Sequence, residues 1–378
     1  MKILWLAHRD MQNPRAGGAE RTIYEVGSRL VRDGHDVTLL TVGFRGSSRL
    51  ETVDGIRVVR YGEKALVHLA VPIFLIRFRY DLVVNDLGHA VPWPSTFLVR
   101  KKRVIFFRHL HARSLPGQVN SMLARVISAL EKLYPIIYRN APFVTESTTS
   151  RDDLIELSIS DENITLIPPG VDHERFKPGR KTEFPSMVYF GGLRKYKRPE
   201  VSIYLIYELV KVIPTTRLYF VGDGLGLEKL KNLVRSLGIE DRVDFMGRLD
   251  EVTLADTVGK SWVNIHSSVC EGWAYSVFEA SSAGTPSVAY DVPGISDSIV
   301  NGRNGIKVKD GNIHDMLDAA LEILEDPLPW WLKSRELALE YSWEQTVRAW
   351  ESLMNEIVYR IKKDVKKSDE TQPKGTKL

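Results

Sequence analysis

One cysteine, Cys270, stands in 378 residues. A disulfide framework needs a pair and a thiolate zinc cluster needs several, so both are excluded. That scarcity suits a reducing compartment. No Asp-x-Asp pair occurs anywhere in the chain, so nothing obvious clamps a divalent cation. Long apolar runs are scarce as well. The greasiest, "ALVHLAVPIFLIRF" at 65–78, carries a histidine, a proline and an arginine. It falls short of the roughly 20 residues a membrane-spanning helix needs. The opening "MKILWLAHRD" has too short an apolar run for a leader and reads as a first strand.

What is present is an ordinary globular composition, 43% hydrophobic and 26% charged, at a length that exceeds one hydrophobic core. Two domains are the expectation. The net charge of +4 is the sum of unlike parts: residues 1–180 hold 26 Lys+Arg against 19 Asp+Glu, a balance of +7, and the remainder holds 26 against 29, a balance of −3. Within the first half, "RKKRVIFFRHLHAR" at 100–113 has six basic residues and no acid. Three readings stand for it: contact with anionic lipid, contact with a phosphorylated acceptor, or a solvated loop.

Strands and helices alternate twice over. "KILWLAH" and "DVTLLTV" flank a segment with apolar residues at Ile23, Val26, Leu30 and Val31, a helical period that stops at Gly34. "DLVVND", "KRVIFF" and "PFVTES" continue the strands, with a helical run near 119–138 and a helix opening near Ser150. Pro168, Pro169, Gly170, Pro178 and Gly179 then crowd together as a linker. The alternation restarts with "SMVYFGG", "TRLYFVGDG", "RVDFMG", "WVNIHSS" and "PSVAYD". The expected organisation is a Rossmann-like domain over 1–168, a linker over 169–182 and a second Rossmann-like domain over 183–342. A helix over 343–362 crosses back to the first domain, and a disordered tail fills 363–378.

The chemistry concentrates in "CEGWAYSVFEASSAGTP", 270–286, where Glu271 and Glu279 stand seven residues apart. A strand leads in, "VCEGWAY" turns, and a short helix follows. Ser276 as N-cap with Glu279 at the third helical position would make a capping box, a purely structural role for the acid. The same geometry suits a ligand. A helix N-terminus offers N–H groups to phosphate. Glu279, one turn in, can accept from ribose hydroxyls, and Glu271, on the far side of the phosphates, from a sugar. A diphosphate with a sugar at each end is a nucleotide-sugar.

The extended string "EGWAYSVFEASSAGTPSVAYDVPG" resembles the donor motif of the family 4 glycosyltransferases, enzymes of the GT-B fold. "GGAE" (17–20), "SRDDL" (150–154), "IPPGVDHERFKP" (167–178), "FGGLRKYK" (190–197), "VGDG" (221–224) and "FMGRL" (245–249) follow that family in order. The resemblance implies two doubly wound domains facing a cleft, with the nucleotide-sugar on the second and the acceptor on the first. It implies ribose on Glu279, sugar hydroxyls on Glu271, and diphosphate on the backbone N–H groups of Tyr275, Ser276 and Val277. The base falls beside Gly247, Arg248 and Leu249. Gly17 and Gly18 would let backbone approach the sugar-phosphate, against the plainer role of a tight turn before a helix. Lys197 matches the family lysine that neutralises the leaving diphosphate. The matching arginine position is Gly192, a departure, with Arg194 two residues on as a substitute. His109, at a strand end, would approach the transferred sugar, in preference to His111.

The activity implied is transfer of a hexose from a UDP- or GDP-sugar to a hydroxyl of a glycan or lipid-linked acceptor. It would proceed with retention and without metal or other cofactor, in the cytoplasm and at the inner face of the plasma membrane. Three rivals are weighed. "GDGLGL" (222–227) lacks the third glycine of a dinucleotide fingerprint, against a dehydrogenase. Another GT-B enzyme, a phosphorylase or a nucleotide-sugar epimerase, is the second. The third is a non-catalytic, glycosyltransferase-like binding subunit, which Gly192 keeps open. A nucleic-acid partner is not expected, since the basic stretch has few aromatics for stacking.

Overall fold

The structure is a computed structural model that describes residues 1–62, 66–99, 102–115, 119–224 and 226–371. Two sheets organise it. The first holds β1 (Lys2–Leu6), β2 (Asp36–Thr41), β3 (Leu50–Val53), β4 (Ile56–Arg60), β5 (Leu82–Leu87), β6 (Arg103–Phe107), β7 (Phe143–Thr145) and β8 (Ile164–Leu166). Their order is β3-β4-β2-β1-β5-β6-β7-β8, parallel except for the β3–β4 hairpin. The second holds β9 (Ser186–Phe190), β10 (Arg217–Val221), β11 (Val243–Gly247), β12 (Val263–His266), β13 (Ser287–Tyr290) and β14 (Gly305–Val308), in the order β11-β10-β9-β12-β13-β14. Each is a doubly wound α/β sheet. Strand order reverses beside β1 in one and beside β9 in the other, and ligands of such sheets bind where the order reverses.

Strand periodicity explains the layers. In β1, Ile3 and Trp5 face one side of the sheet, with Val26 and Leu30 of the helix Gly18–Arg32. Leu4 and Leu6 face the other, with Val67 and Val71 of the helix Leu66–Arg77 and Tyr134 and Tyr138. Both faces are buried, so these strands are apolar throughout rather than alternating.

The two domains join by two chain crossings that touch. Val171 bridges to Ser342 on the way out and back. A Cβ on Gly170 would lie 2.1 Å from the Trp343 nitrogen, so only glycine fits that crossing. The last helix, Trp343–Thr371, then packs on the first sheet, burying Trp343, Val347, Trp350 and Met354 beside Trp5 and Phe106. It runs past 362, so 363–371 is helical rather than part of a tail, and 372–378 lies outside the described residues. The helical run near 119–138 divides into Ser121–Glu131 and Tyr134–Ile137.

The basic stretch at 100–113 is not one surface. Arg103 and Arg108 are buried, the first donating to the Thr96 carbonyl and the second held by two carboxylates. Arg113 pairs with Asp153 at 2.6 Å. Arg100 and Lys101 lie outside the described residues.

Trp350 is fully buried, 5.3 Å from the Trp5 ring and 4.9 Å from Phe106 between ring centres. Trp350→Ala should cost about 3–5 kcal/mol by truncating a large buried side chain. The check is the urea midpoint of unfolding, which should fall at unchanged slope.

Candidate active site

The loops after β9 and β12, neighbours at the reversal point, carry the site. The loop after β9 ends in a single helical turn, Lys195–Lys197. From there the Lys197 Nζ reaches the Glu271 Oε1 at 2.7 Å. The Ser268 hydroxyl donates to the same oxygen at 2.7 Å, and His266 Nε2 stands 3.9 Å away. Burial alone would push the Glu271 carboxyl up. Lys197, then His266, overcome it and hold the group below the ordinary carboxylate range. Lys197 is correspondingly raised despite its own burial, because Glu271 faces it. The pair is a fixed anion and cation at every pH near neutrality. The loop 290–294 props it, with the Glu271 N–H donating to the Pro293 carbonyl at 2.9 Å.

Arg194 is exposed, but it turns toward the departure from the family pattern. Its Nε lies 3.9 Å from where a Cβ on Gly192 would stand.

The helix after the turn is Tyr275–Ser282, with Ala274 as N-cap and no side-chain cap. The capping box on Ser276 is therefore not formed, and Glu279 lies at the fifth helical residue rather than the third. It is left for other work. Its nearest cation is Arg21 of the first domain, Nε to Oε1 3.9 Å. Burial raises the Glu279 carboxyl, against the pull of Arg21 and Arg175. Two of the expected phosphate donors are turned inward. The Tyr275 N–H donates to the Trp273 carbonyl at 3.2 Å and the Val277 N–H to Ala274 at 2.9 Å. The Ser276 N–H has no backbone acceptor of that kind among the described residues.

The Tyr275 side chain, which the sequence reading used only for its backbone, crosses the cleft. Its hydroxyl donates to Glu146 Oε1 at 2.5 Å and touches the Thr22 hydroxyl. Glu146 also accepts from Arg108 at 3.0 Å, and Arg108 binds Asp86 at 2.7 Å and the Ala19 carbonyl at 2.9 Å. Gly18 makes the crossing feasible, since a Cβ there would lie 2.3 Å from the Tyr275 ring. Gly17 caps the helix Gly18–Arg32, its N–H donating to Glu20 Oε2 at 2.8 Å. In this arrangement the two glycines serve the helix start and the domain contact.

His109 meets the second domain through Gly272. A Cβ on Gly272 would lie 2.7 Å from the Arg108 carbonyl and 3.5 Å from His109 Nδ1. Burial and the neighbouring His111 push His109 down to about 3, with Glu271 opposing. Its ring is neutral and can donate or accept one hydrogen bond on each side. His111 is turned away, its Nδ1 3.2 Å from Glu131 and its Nε2 3.1 Å from the Gly88 carbonyl. Gly247 ends β11 in the left-handed region at φ 64°, and Arg248 then donates to the Pro14 carbonyl of the first domain at 3.1 Å. Leu249 packs partly buried beside Phe190 and Val221.

Further cleft residues escaped the sequence reading: Arg21, Glu251, Glu146, Arg108, Ser268 and Thr149. Arg21 and Arg175 share Glu251 at 2.8 Å each. Asp297 of the second domain accepts the N–H groups of Thr148 and Thr149 at the start of the first domain's helix Thr148–Glu156, at 2.9 and 3.2 Å. Arg21 directly follows "GGAE", so its place at the cleft was the most accessible of these.

Comparison with known proteins agrees with this arrangement. The family model described as Glycosyltransferase Family 4 matches residues 16–175, and that described as Glycosyl transferases group 1 matches 171–342. A glycogen synthase of Mycobacterium tuberculosis is 24% identical over 88% of this chain and 89% of its own. A GDP-mannose-dependent alpha-(1-6)-phosphatidylinositol monomannoside mannosyltransferase of the same organism is 26% identical, over 83% of this chain and 87% of its own. Among solved structures, sucrose-phosphate synthase from Thermosynechococcus elongatus superposes with a TM-score of 0.79 at 20% identity, covering 95% of this chain and 99% of that one. HepE of Anabaena, in complex with UDP and glucose, gives 0.73 at 18%, covering 94% and 100%.

Two outcomes follow from the geometry. His8, His109 and His266 lie at about 2, 3 and 4, each lowered first by burial. The unfolded chain takes up their protons near pH 6.5 and the folded protein does not. Stability should therefore fall as pH drops from 6.5 toward 4, by up to about 1.4 kcal/mol per pH unit for each group. Melting temperatures across that range test it, and His109→Gln should flatten the slope. Tyr275→Phe removes the hydroxyl that reaches the Glu146 carboxylate and Thr22, a loss of about 1.5–3 kcal/mol. The domains should then part more readily, read as a larger radius of gyration by small-angle scattering. An unchanged radius would mean the tyrosine does not hold the cleft.

Proposed function

The chain belongs to the family 4 glycosyltransferases of the GT-B fold, and from that premise we propose that it moves a hexose from a UDP- or GDP-sugar to a hydroxyl of a glycan or lipid-linked acceptor in cell-surface glycoconjugate synthesis. The observation that carries the reading is the Glu271–Lys197 pair at 2.7 Å, set beside the helix that holds Glu279. Glu271 takes sugar hydroxyls and Glu279 the ribose. The Ser276 N–H, Lys197 and Arg194 face the diphosphate, and the segment Gly247–Leu249 faces the base. Donor binding displaces two contacts seen here: Lys197 shifts charge from Glu271 toward phosphate, and Glu279 exchanges Arg21 for ribose.

In the reaction the bond from the anomeric carbon to the diphosphate oxygen breaks. The acceptor oxygen bonds that carbon on the same face, and its proton passes to the departing phosphate. Retention follows from attack on that face. Positive side chains and the start of the helix Tyr275–Ser282 stabilise the developing phosphate charge, so the reading requires no metal. His109 hydrogen-bonds the sugar from the first domain. The second reading, a binding subunit without catalysis, rests on Gly192 in place of an arginine.

Calorimetric titration with UDP, GDP, ADP and NADH in EDTA tests the donor site. Micromolar binding of one diphosphate is expected. Glu279→Ala should weaken it by about 1–3 kcal/mol, the loss of charge-assisted hydrogen bonds, while Glu271→Ala should bind nucleotide and abolish transfer. Absence of any hydrolysis or transfer from every nucleotide-sugar that binds would favour the binding subunit.

A further inference from the structure

The helix Leu66–Arg77 is apolar all round apart from His68 and Arg77, the pattern of a helix buried on every side. This one is buried on one side only. Val67, Ala70 and Val71 meet the sheet, while Leu69, Ile73 and Ile76 are 66, 55 and 86% exposed. The exposed apolar surface does not stop there. The helix packs beside Ser95–Leu98, where Phe97 is 59% exposed. Tyr134 donates to the Ala90 carbonyl at 2.7 Å and Ile137 packs on the same core as Val67 and Val71, which puts the helix Tyr134–Ile137 on this face, with Ile136 at 74%. The helices Leu66–Arg77 and Tyr134–Ile137, with Trp93 and Val99 flanking Ser95–Leu98, pack on one face of the first sheet, the face opposite the helices Gly18–Arg32 and Trp343–Thr371. An uncovered apolar area of this extent marks an interaction site.

The charge around it selects the occupant. Between residues 66 and 139 the sequence holds eleven Lys+Arg and three Asp+Glu. Of these, Asp86, Glu131, Arg103 and Arg108 are buried, Arg113 pairs with Asp153, and Arg100 and Lys101 lie outside the described residues, which leaves Asp81 as the exposed acid. Arg77, Arg79, Lys102, Lys132 and Arg139, in or next to these elements, are exposed. Apolar side chains ringed by arginine and lysine suit a surface that is greasy beneath and anionic on top. The helix of twelve residues is too short to span a bilayer and long enough to lie in its interface.

We propose that this face docks on an anionic lipid bilayer. The bilayer would lie against the helix Leu66–Arg77, whose His68 Nε2 is 3.2 Å from His8 Nε2 at the cleft end of β1. The docked face therefore abuts the first-domain wall of the cleft, and an acceptor hydroxyl carried on a lipid enters from that side. The clause on the acceptor rests on the glycosyltransferase reading; the docking itself does not.

The test is flotation of the full chain with vesicles of phosphatidylglycerol and phosphatidylcholine in equal parts, and with vesicles of phosphatidylcholine alone. Binding is expected to the first, to weaken at 0.5 M NaCl, and to be at least tenfold weaker to the second. I73D/I76D and R77E/R79E change exposed residues, so both proteins should keep the native melting temperature and native nucleotide affinity. Each should lose at least tenfold in binding to the anionic vesicles. Wild-type protein that fails to float, or variants that float equally well, would overturn the proposal. So would a wild-type dimer in solution that the I73D/I76D change makes monomeric, since a second copy would then own the face. Loss of nucleotide binding in the unaltered protein, with flotation intact, would instead count against the donor site.

Discussion

Arg108 carries its charge at a point almost sealed from water, and two carboxylates converge on it. Asp86 comes from the end of β5, Glu146 from just past β7, and the arginine itself from just past β6. The Ala19 carbonyl adds the first helix. Three neighbouring strand ends and a helix start are thus pinned to one guanidinium, which also lies 3.6 Å over the Phe106 ring. Two carboxylates against one cation leave unspent negative charge, and Glu146 uses it on the Thr22 and Tyr275 hydroxyls. The last of these belongs to the other domain. Burying such a group is costly, and removing one partner leaves an uncompensated charge worth about 3–5 kcal/mol. The first-domain wall of the cleft and the closure of the cleft therefore share a single electrostatic origin.

The donor half is built differently. Lys197, Ser268, His266 and Glu271 all come from the second domain. Their mutual distances do not depend on how the domains stand. What closure adds is His109 against Gly272, and Arg21 against Glu279 and Glu251. On the proposed assignment, binding of the nucleotide and approach of the acceptor are separate problems, solved on separate sheets.

Much of this was legible in the chain because it is local. Strands buried on both faces spell themselves as runs such as "VIFF" and "VYF", and the spacing of Glu271 and Glu279 announces a turn and a helix start. The hairpin β3–β4 escaped attention although Asp54 and Gly55, both at positive φ, form the tight turn that such a pair favours. Its strands are short and interrupted by charge, so periodicity had little to work on. The basic run at 100–113 misled for the opposite reason. Sequence adjacency suggested a patch, but a strand sends alternate residues to opposite faces, and Arg103 and Arg108 turned inward to find partners. The bridge from Tyr275 to Glu146 joins residues 129 apart, and no local signal could show it. The exposed side of Leu66–Arg77 was hidden by its own composition, since an apolar helix normally signals a core.

The paired crossings at Val171 and Ser342 have a consequence for how the molecule is put together. The first domain holds elements on both sides of the second in sequence, and the helix Trp343–Thr371 buries Trp343 and Trp350 beside β1. The second domain is an insertion whose entry and exit touch. A guest joined at two adjacent points costs its host little loop entropy. A cut in the linker would leave the halves attached, because the returning helix holds on independently of the outgoing strand.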